Sequence, residues 1–108
     1  MNEIDQEIEI LIKAVKKSNT YKEYDKQKNL LKQDAELKKQ VDAYRLENFR
    51  LQNSQDDGHL AERMDAFLDK YSDFVEIPLV ADFLDAEYNL CSMLQELTSR
   101  VVSCLDFE

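Results

Sequence analysis

Apolar residues recur along this chain at helical intervals from its start. Ile4, Ile8, Leu11, Ile12 and Val15 fall on the i, i+4, i+7, i+8, i+11 stripe of an amphipathic helix over about residues 3–17. Glu3, Asp5, Glu7 and Glu9 come early in it and Lys13, Lys16 and Lys17 late, which complements the helix dipole. Ser18-Asn19-Thr20 interrupts the pattern, and Thr20 with Glu23 three residues on reads as a capping box. A second helix over 20–33 then carries Tyr21, Tyr24, Leu30 and Leu31, with Asp34 a cap or kink at its end.

From 34 to about 53, Leu37, Val41, Tyr44, Asn48 and Leu51 alternate at four- and three-residue steps, a seam that packs on another helix. Leu46 and Phe49 fall on a different face of that helix, so self-association or a partner protein is expected to cover them. Asn53-Ser54-Gln55-Asp56-Asp57-Gly58 is the one turn-like cluster. A fourth stripe follows over 59–74, with Leu60, Met64, Phe67, Leu68, Tyr71 and Phe74. Pro78 suits the first turn of a helix. The last helix, over 78–105, shows Val80, Phe83, Leu84, Leu90, Cys91, Leu94, Leu97, Val101, Cys104 and Leu105 on a broad apolar face. Its length would be about 40 Å. The expectation is one all-α domain over 1–108, an antiparallel helical hairpin or bundle with a long C-terminal helix, self-associating.

Composition narrows this further. One Gly and one Pro in 108 residues leave little material for hairpins or phosphate-cradling loops. A net charge of −9, from 23 acids against 14 bases, speaks against direct binding of nucleic acid. No run approaches the roughly 20 apolar residues that span a bilayer. The acidic start, Met1-Asn2-Glu3-Ile4-Asp5, is unlike a signal peptide, so a cytoplasmic protein is expected.

Little here suggests catalysis. The only histidine, His59, sits beside Gly58 at a loop boundary, and no Glu-x-x-His pair exists for a carboxylate-bridged metal site. A non-enzyme without a cofactor is expected. Cys91 and Cys104 lie thirteen residues apart on one helix. That is about 20 Å, beyond disulfide reach, and the pair lacks zinc-site spacing. An iron–sulfur or thiol redox sensor remains the alternative: Cys104, near the chain end, would act with partner cysteines in a hetero-complex, since a [4Fe–4S] cluster takes four thiolates. Glu87 interrupts the apolar face of the last helix. It reads either as a rim acid or as a register-fixing acid paired with a base such as Arg45, and Asn48 invites the same reading. The candidate interaction surface therefore comprises Tyr44, Arg45, Leu46, Asn48 and Phe49 on the third helix, and Glu87, Leu90, Leu94, Leu97 and Val101 on the last.

Over nearly its whole length the chain resembles the YlbF/YmcA family of small all-helical bacterial proteins. The first half of the likeness rests on Ile12-Lys13-Ala14-Val15, Ser18, Tyr21, Tyr24, Asp34, Glu36-Leu37, Val41, Tyr44-Arg45 and Asn48-Phe49. The second rests on Pro78-Leu79-Val80, Phe83-Leu84, Ala86-Glu87, Leu90, Leu94 and Val101-Val102. The resemblance implies an oligomeric protein of a Gram-positive-type cytoplasm, linked to competence, sporulation and biofilm control. It further implies sister subunits, some carrying iron–sulfur clusters, and ribonuclease Y as a partner in mRNA processing. Three departures stand out. Ala35 occupies a place where many relatives carry Pro, which would let the helix run through. Ile77 replaces an Asn cap before Pro78, and a cysteine-rich tail is missing. The function expected is that of a regulatory adaptor acting through protein contacts.

Overall fold

A computed structural model describes residues 2–105. Among them are five α-helices and one 3-10 turn, with no strand: α1 (Glu3–Lys17), α2 (Asn19–Lys32), α3 (Ala35–Gln52), α4 (Leu60–Lys70), the turn Phe74–Glu76, and α5 (Pro78–Cys104). The fold is all-α, and the long C-terminal helix has 27 residues. Two compact units divide the chain. One takes in residues up to Lys28 and from Phe83 onward; the other is Asn29–Asp82.

In the first unit, the Asn2 side chain caps α1 by accepting from the Asp5 N–H at 2.9 Å. Ser18 ends α1 in an extended conformation (φ −69°, ψ 150°), its N–H bonded to the Val15 carbonyl at 3.0 Å. The Ser18 hydroxyl donates to that same carbonyl at 2.6 Å and accepts from the Tyr21 N–H at 3.1 Å. One serine thus closes α1 and opens α2. The capping box expected at Thr20 is not used, because Ser18 satisfies the orphan N–H first and α2 begins one residue earlier, at Asn19. Phe83 and Ala86, one turn apart on α5, are buried. The Tyr24 ring meets that of Phe83 at 5.9 Å, and Tyr21 lies 6.4 Å from Tyr24. Gln27 is buried too, and its amide donates to Glu23 Oε1 at 2.8 Å, one turn back.

The second unit starts with a break. Asp34 (φ −114°, ψ 89°) leaves helical geometry, and its Oδ1 accepts from the Leu37 N–H at 3.0 Å. The helix therefore does not run through Ala35: a carboxylate cap replaces the stop that proline would supply. Helices α3 and α4 pack antiparallel. Tyr44 meets Phe67, Tyr71 and Phe74, while Leu51, seven residues on, shares a groove with Arg63 and Ala66. Gly58 adopts φ +93° in the connecting loop, a conformation that side chains with a Cβ disfavour. Asp56 and Asp57 fasten this loop by accepting from the N–H groups of Gly58 and His59 at 2.9 and 3.0 Å.

Helix α4 stops at Lys70 rather than reaching residue 74. The Ser72 hydroxyl donates to the Asp69 carbonyl at 3.1 Å, offering it a partner other than the helical one. Proline at 78 also holds Ile77 extended (φ −60°, ψ 123°). Helix α5 then starts without a side-chain cap from Ile77, whose carbonyl accepts from the Ala81 N–H at 2.8 Å. Val41 and Val80 are fully buried in this unit, with Leu31 and Phe67 nearly so.

Truncating Val41 to Ala leaves a gap where no water reaches. Val41→Ala is expected to lower unfolding stability by about 2 kcal/mol. The check is a urea titration, in which the midpoint falls while the slope stays constant.

Candidate functional site

The second unit is organised around Tyr44. Its ring stacks on Phe67 at 5.2 Å and meets the edge of Tyr71 at 4.9 Å, with Phe74 at 6.0 Å. Phe67–Tyr71 and Tyr71–Phe74 close the cluster at 5.0 and 5.8 Å, both edge-on. Such pairs each add about 0.5–1.5 kcal/mol beyond the area they bury. The cluster has a polar rim. The Tyr71 hydroxyl donates to Glu47 Oε2, and Lys70 Nζ lies 3.2 Å from that oxygen and 5.2 Å from the Tyr71 ring centroid. These bonds hold the Glu47 carboxyl below its ordinary range, with the Tyr71 hydroxyl the larger cause and Lys70 the next. Conversely, Glu47 raises both the Tyr71 phenol and the Lys70 ammonium. Beside this rim a shallow groove of about 280 Å³ is lined by Glu47, Leu51, Arg63, Ala66, Phe67 and Lys70. Arg63 pairs with Asp57 at 3.0 Å, which lowers the Asp57 carboxyl together with the His59 N–H.

The sequence-derived surface residues take inward, half-buried and outward positions on their own helices. Tyr44 turns inward to the cluster, and Asn48 is half-buried on the same helix. Arg45 pairs with Asp42 at 3.7 Å, one turn back on its own helix. Leu46 and Phe49 stand outward, 49% and 65% exposed. On α5, Glu87, Leu90 and Leu97 are half-buried, while Leu94 and Val101 are exposed. The rim of Glu47, Lys70 and Tyr71 has no counterpart among the sequence-derived candidates. Its partners lie more than twenty residues apart, and only the antiparallel register of α3 on α4 brings them together.

The chemistry of the side chains is sparse. Both cysteines are exposed, and on one straight helix they stand about 20 Å apart. One chain therefore offers no cluster of thiolates, and the residues present do not fit an iron–sulfur centre within it. His59 is exposed, 3.5 Å from Glu62. Among the described residues no three His, Cys, Asp or Glu side chains converge as metal ligands. No helix among them is long and apolar enough to cross a membrane.

The described residues are all-helical, with apolar side chains left outward on α1, α3 and α5. Residues 4–105 match the family described as control of competence regulator ComK, YlbF/YmcA. The chain belongs to that family, a regulatory one, and the likeness seen in its helix faces is thereby established. No curated protein and no solved structure matches it.

The polar rim makes stability depend on pH at both ends. Glu47, lowered in the fold, stabilises above the ordinary carboxylate range, and this is lost as pH falls through its depressed value. Tyr71 and Lys70, both raised, stabilise below their ordinary values, and this is lost as pH rises through the raised ones. In Glu47→Gln the phenol of Tyr71 is expected to ionise at lower pH than in the parent. Ultraviolet titration of phenolate formation checks this, and melting curves should show a flatter fall below about pH 4.

Proposed function

We propose that this protein is a non-catalytic regulatory adaptor of the cytoplasm, which self-associates and acts by docking protein partners on exposed helix faces. Membership of a competence-control family supports the regulatory part. The observation that carries the docking part is the outward pair Leu46 and Phe49 on α3, which no part of the second unit covers. Leaving a phenylalanine 65% exposed forgoes about 1–2 kcal/mol of burial, which a partner recovers on binding. By the family resemblance, sister subunits and ribonuclease Y are the partners, and modulation of mRNA processing in development and competence is the outcome. The net charge of −9 suits an adaptor that reaches RNA through a nuclease rather than by itself.

The test is direct binding of purified ribonuclease Y to the parent chain and to Phe49→Glu. The exposed position tolerates the charge, so circular dichroism should be unchanged. The parent is expected to bind, and Phe49→Glu to bind at least about tenfold more weakly. Absence of binding by the parent, alone and with sister subunits, would sink the ribonuclease Y reading. Light scattering during size exclusion checks self-association independently: a mass above that of one chain is expected.

A further inference from the structure

Helix α1 is the most amphipathic helix of the chain, yet none of its 15 residues is buried. Ile4 is 69% exposed, Ile8 46% and Leu11 45%, and with Glu3 and Glu7 they line a shallow depression of about 340 Å³. An isolated helix of this length is marginal in water, so the exposed Ile4, Ile8 and Leu11, with Val15 half-buried at the end of the stripe, call for an occupant.

Two features of α1 identify that occupant as a second α1. The first is spacing. Ile4, Ile8, Leu11 and Val15 are separated by four, three and four residues, a sequence of steps that reads the same in both directions. A twofold axis between Ile8 and Leu11 therefore sets Ile4 against Val15 of the second copy and Ile8 against its Leu11, a self-complementary knobs-into-holes seam. The second is charge. Acids occupy the first half and Lys13, Lys16 and Lys17 the second. A parallel pair would set acids against acids and align the dipoles, whereas an antiparallel pair opposes unlike halves and reverses one dipole. Asp5 and Lys16 are eleven residues apart, about 20° in azimuth at 100° per residue, so both flank the seam on one side. The same twofold axis brings each Asp5 towards Lys16 of the other copy.

We propose that α1 is the surface through which two copies of this chain meet. They pair antiparallel along Ile4, Ile8, Leu11 and Val15, with two symmetric Asp5–Lys16 ion pairs. The inference rests on the self-association proposed above and locates it, leaving the Leu46–Phe49 face of α3 to other proteins. Two helices of four turns bury less than the roughly 1,200–2,000 Å² of a standard interface, so copies should exchange on dilution.

The test uses the full chain with Cys91→Ser and Cys104→Ser, both exposed positions. Ile4→Cys and Val15→Cys are introduced separately, and the two proteins are oxidised alone and mixed. A disulfide-linked dimer forming only in the mixture is the expected result. Ile4→Cys linking to itself would overturn the antiparallel register. No link in a chain that still shows an oligomeric mass would place the contact elsewhere and overturn the proposal alone. A monomeric mass for the parent chain would overturn self-association itself. Charge exchange gives a second readout that needs no thiol. Asp5→Lys and Lys16→Asp should each dimerise at least about tenfold more weakly than the parent, yet combine with one another into a heterodimer. Failure of the two to combine preferentially counts against the proposed pairing.

Discussion

The packing of Tyr44 against Phe67, Tyr71 and Phe74 holds the second unit in register. A chain with one glycine, no disulfide and few fully buried side chains has little else with which to fix one helix on another. Aromatic rings suit this task because each buries a large area at the cost of two rotatable bonds. Their edge-to-face geometry is directional as well, so a slip of α3 along α4 would break several contacts together. The Tyr71 hydroxyl meets Glu47 at the rim of the cluster, which satisfies the one polar atom that this ring carries inward.

The breaks between helices depend on equally few groups. Ser18 serves α1 and α2 at once, Asp34 separates α2 from α3, and Asp56 and Asp57 fasten the loop around Gly58. Each is a short side chain whose oxygen competes with the helical hydrogen bond. This economy explains how so glycine-poor a chain still changes direction, and why its long helices remain uninterrupted between those points.

What these few contacts leave outside is apolar surface, and the proposed docking rests on it. Ile4, Ile8 and Leu11 of α1 lie exposed, and Leu46 and Phe49 project from the back of α3. Exposed side chains of this size destabilise a solitary chain and favour assembly. The one histidine is exposed, the two cysteines are well separated, and the shifted carboxyls of Glu47 and Asp57 serve structural ion pairs and caps.

The helical class and the order of the helices are legible from the chain itself, because the 3.6-residue period of Ile4 to Val15, of Leu37 to Leu51 and of Val80 to Leu105 is a local property. The outward face of Leu46 and Phe49 was legible for the same reason. Tertiary structure decided what no local rule reaches. Ser18 rather than Thr20 caps α2, since two nearby hydroxyls compete and only one is placed to accept from the free N–H. Asp34 ends α2 without proline, and Ser72 ends α4 early, in each case because a side-chain oxygen takes a bond that the helix would otherwise make. The inward turn of Tyr44 and the meeting of Glu47 with Lys70 and Tyr71 join residues more than twenty positions apart. Periodicity assigns a residue to a face; only the packing of one helix on another determines what that face touches.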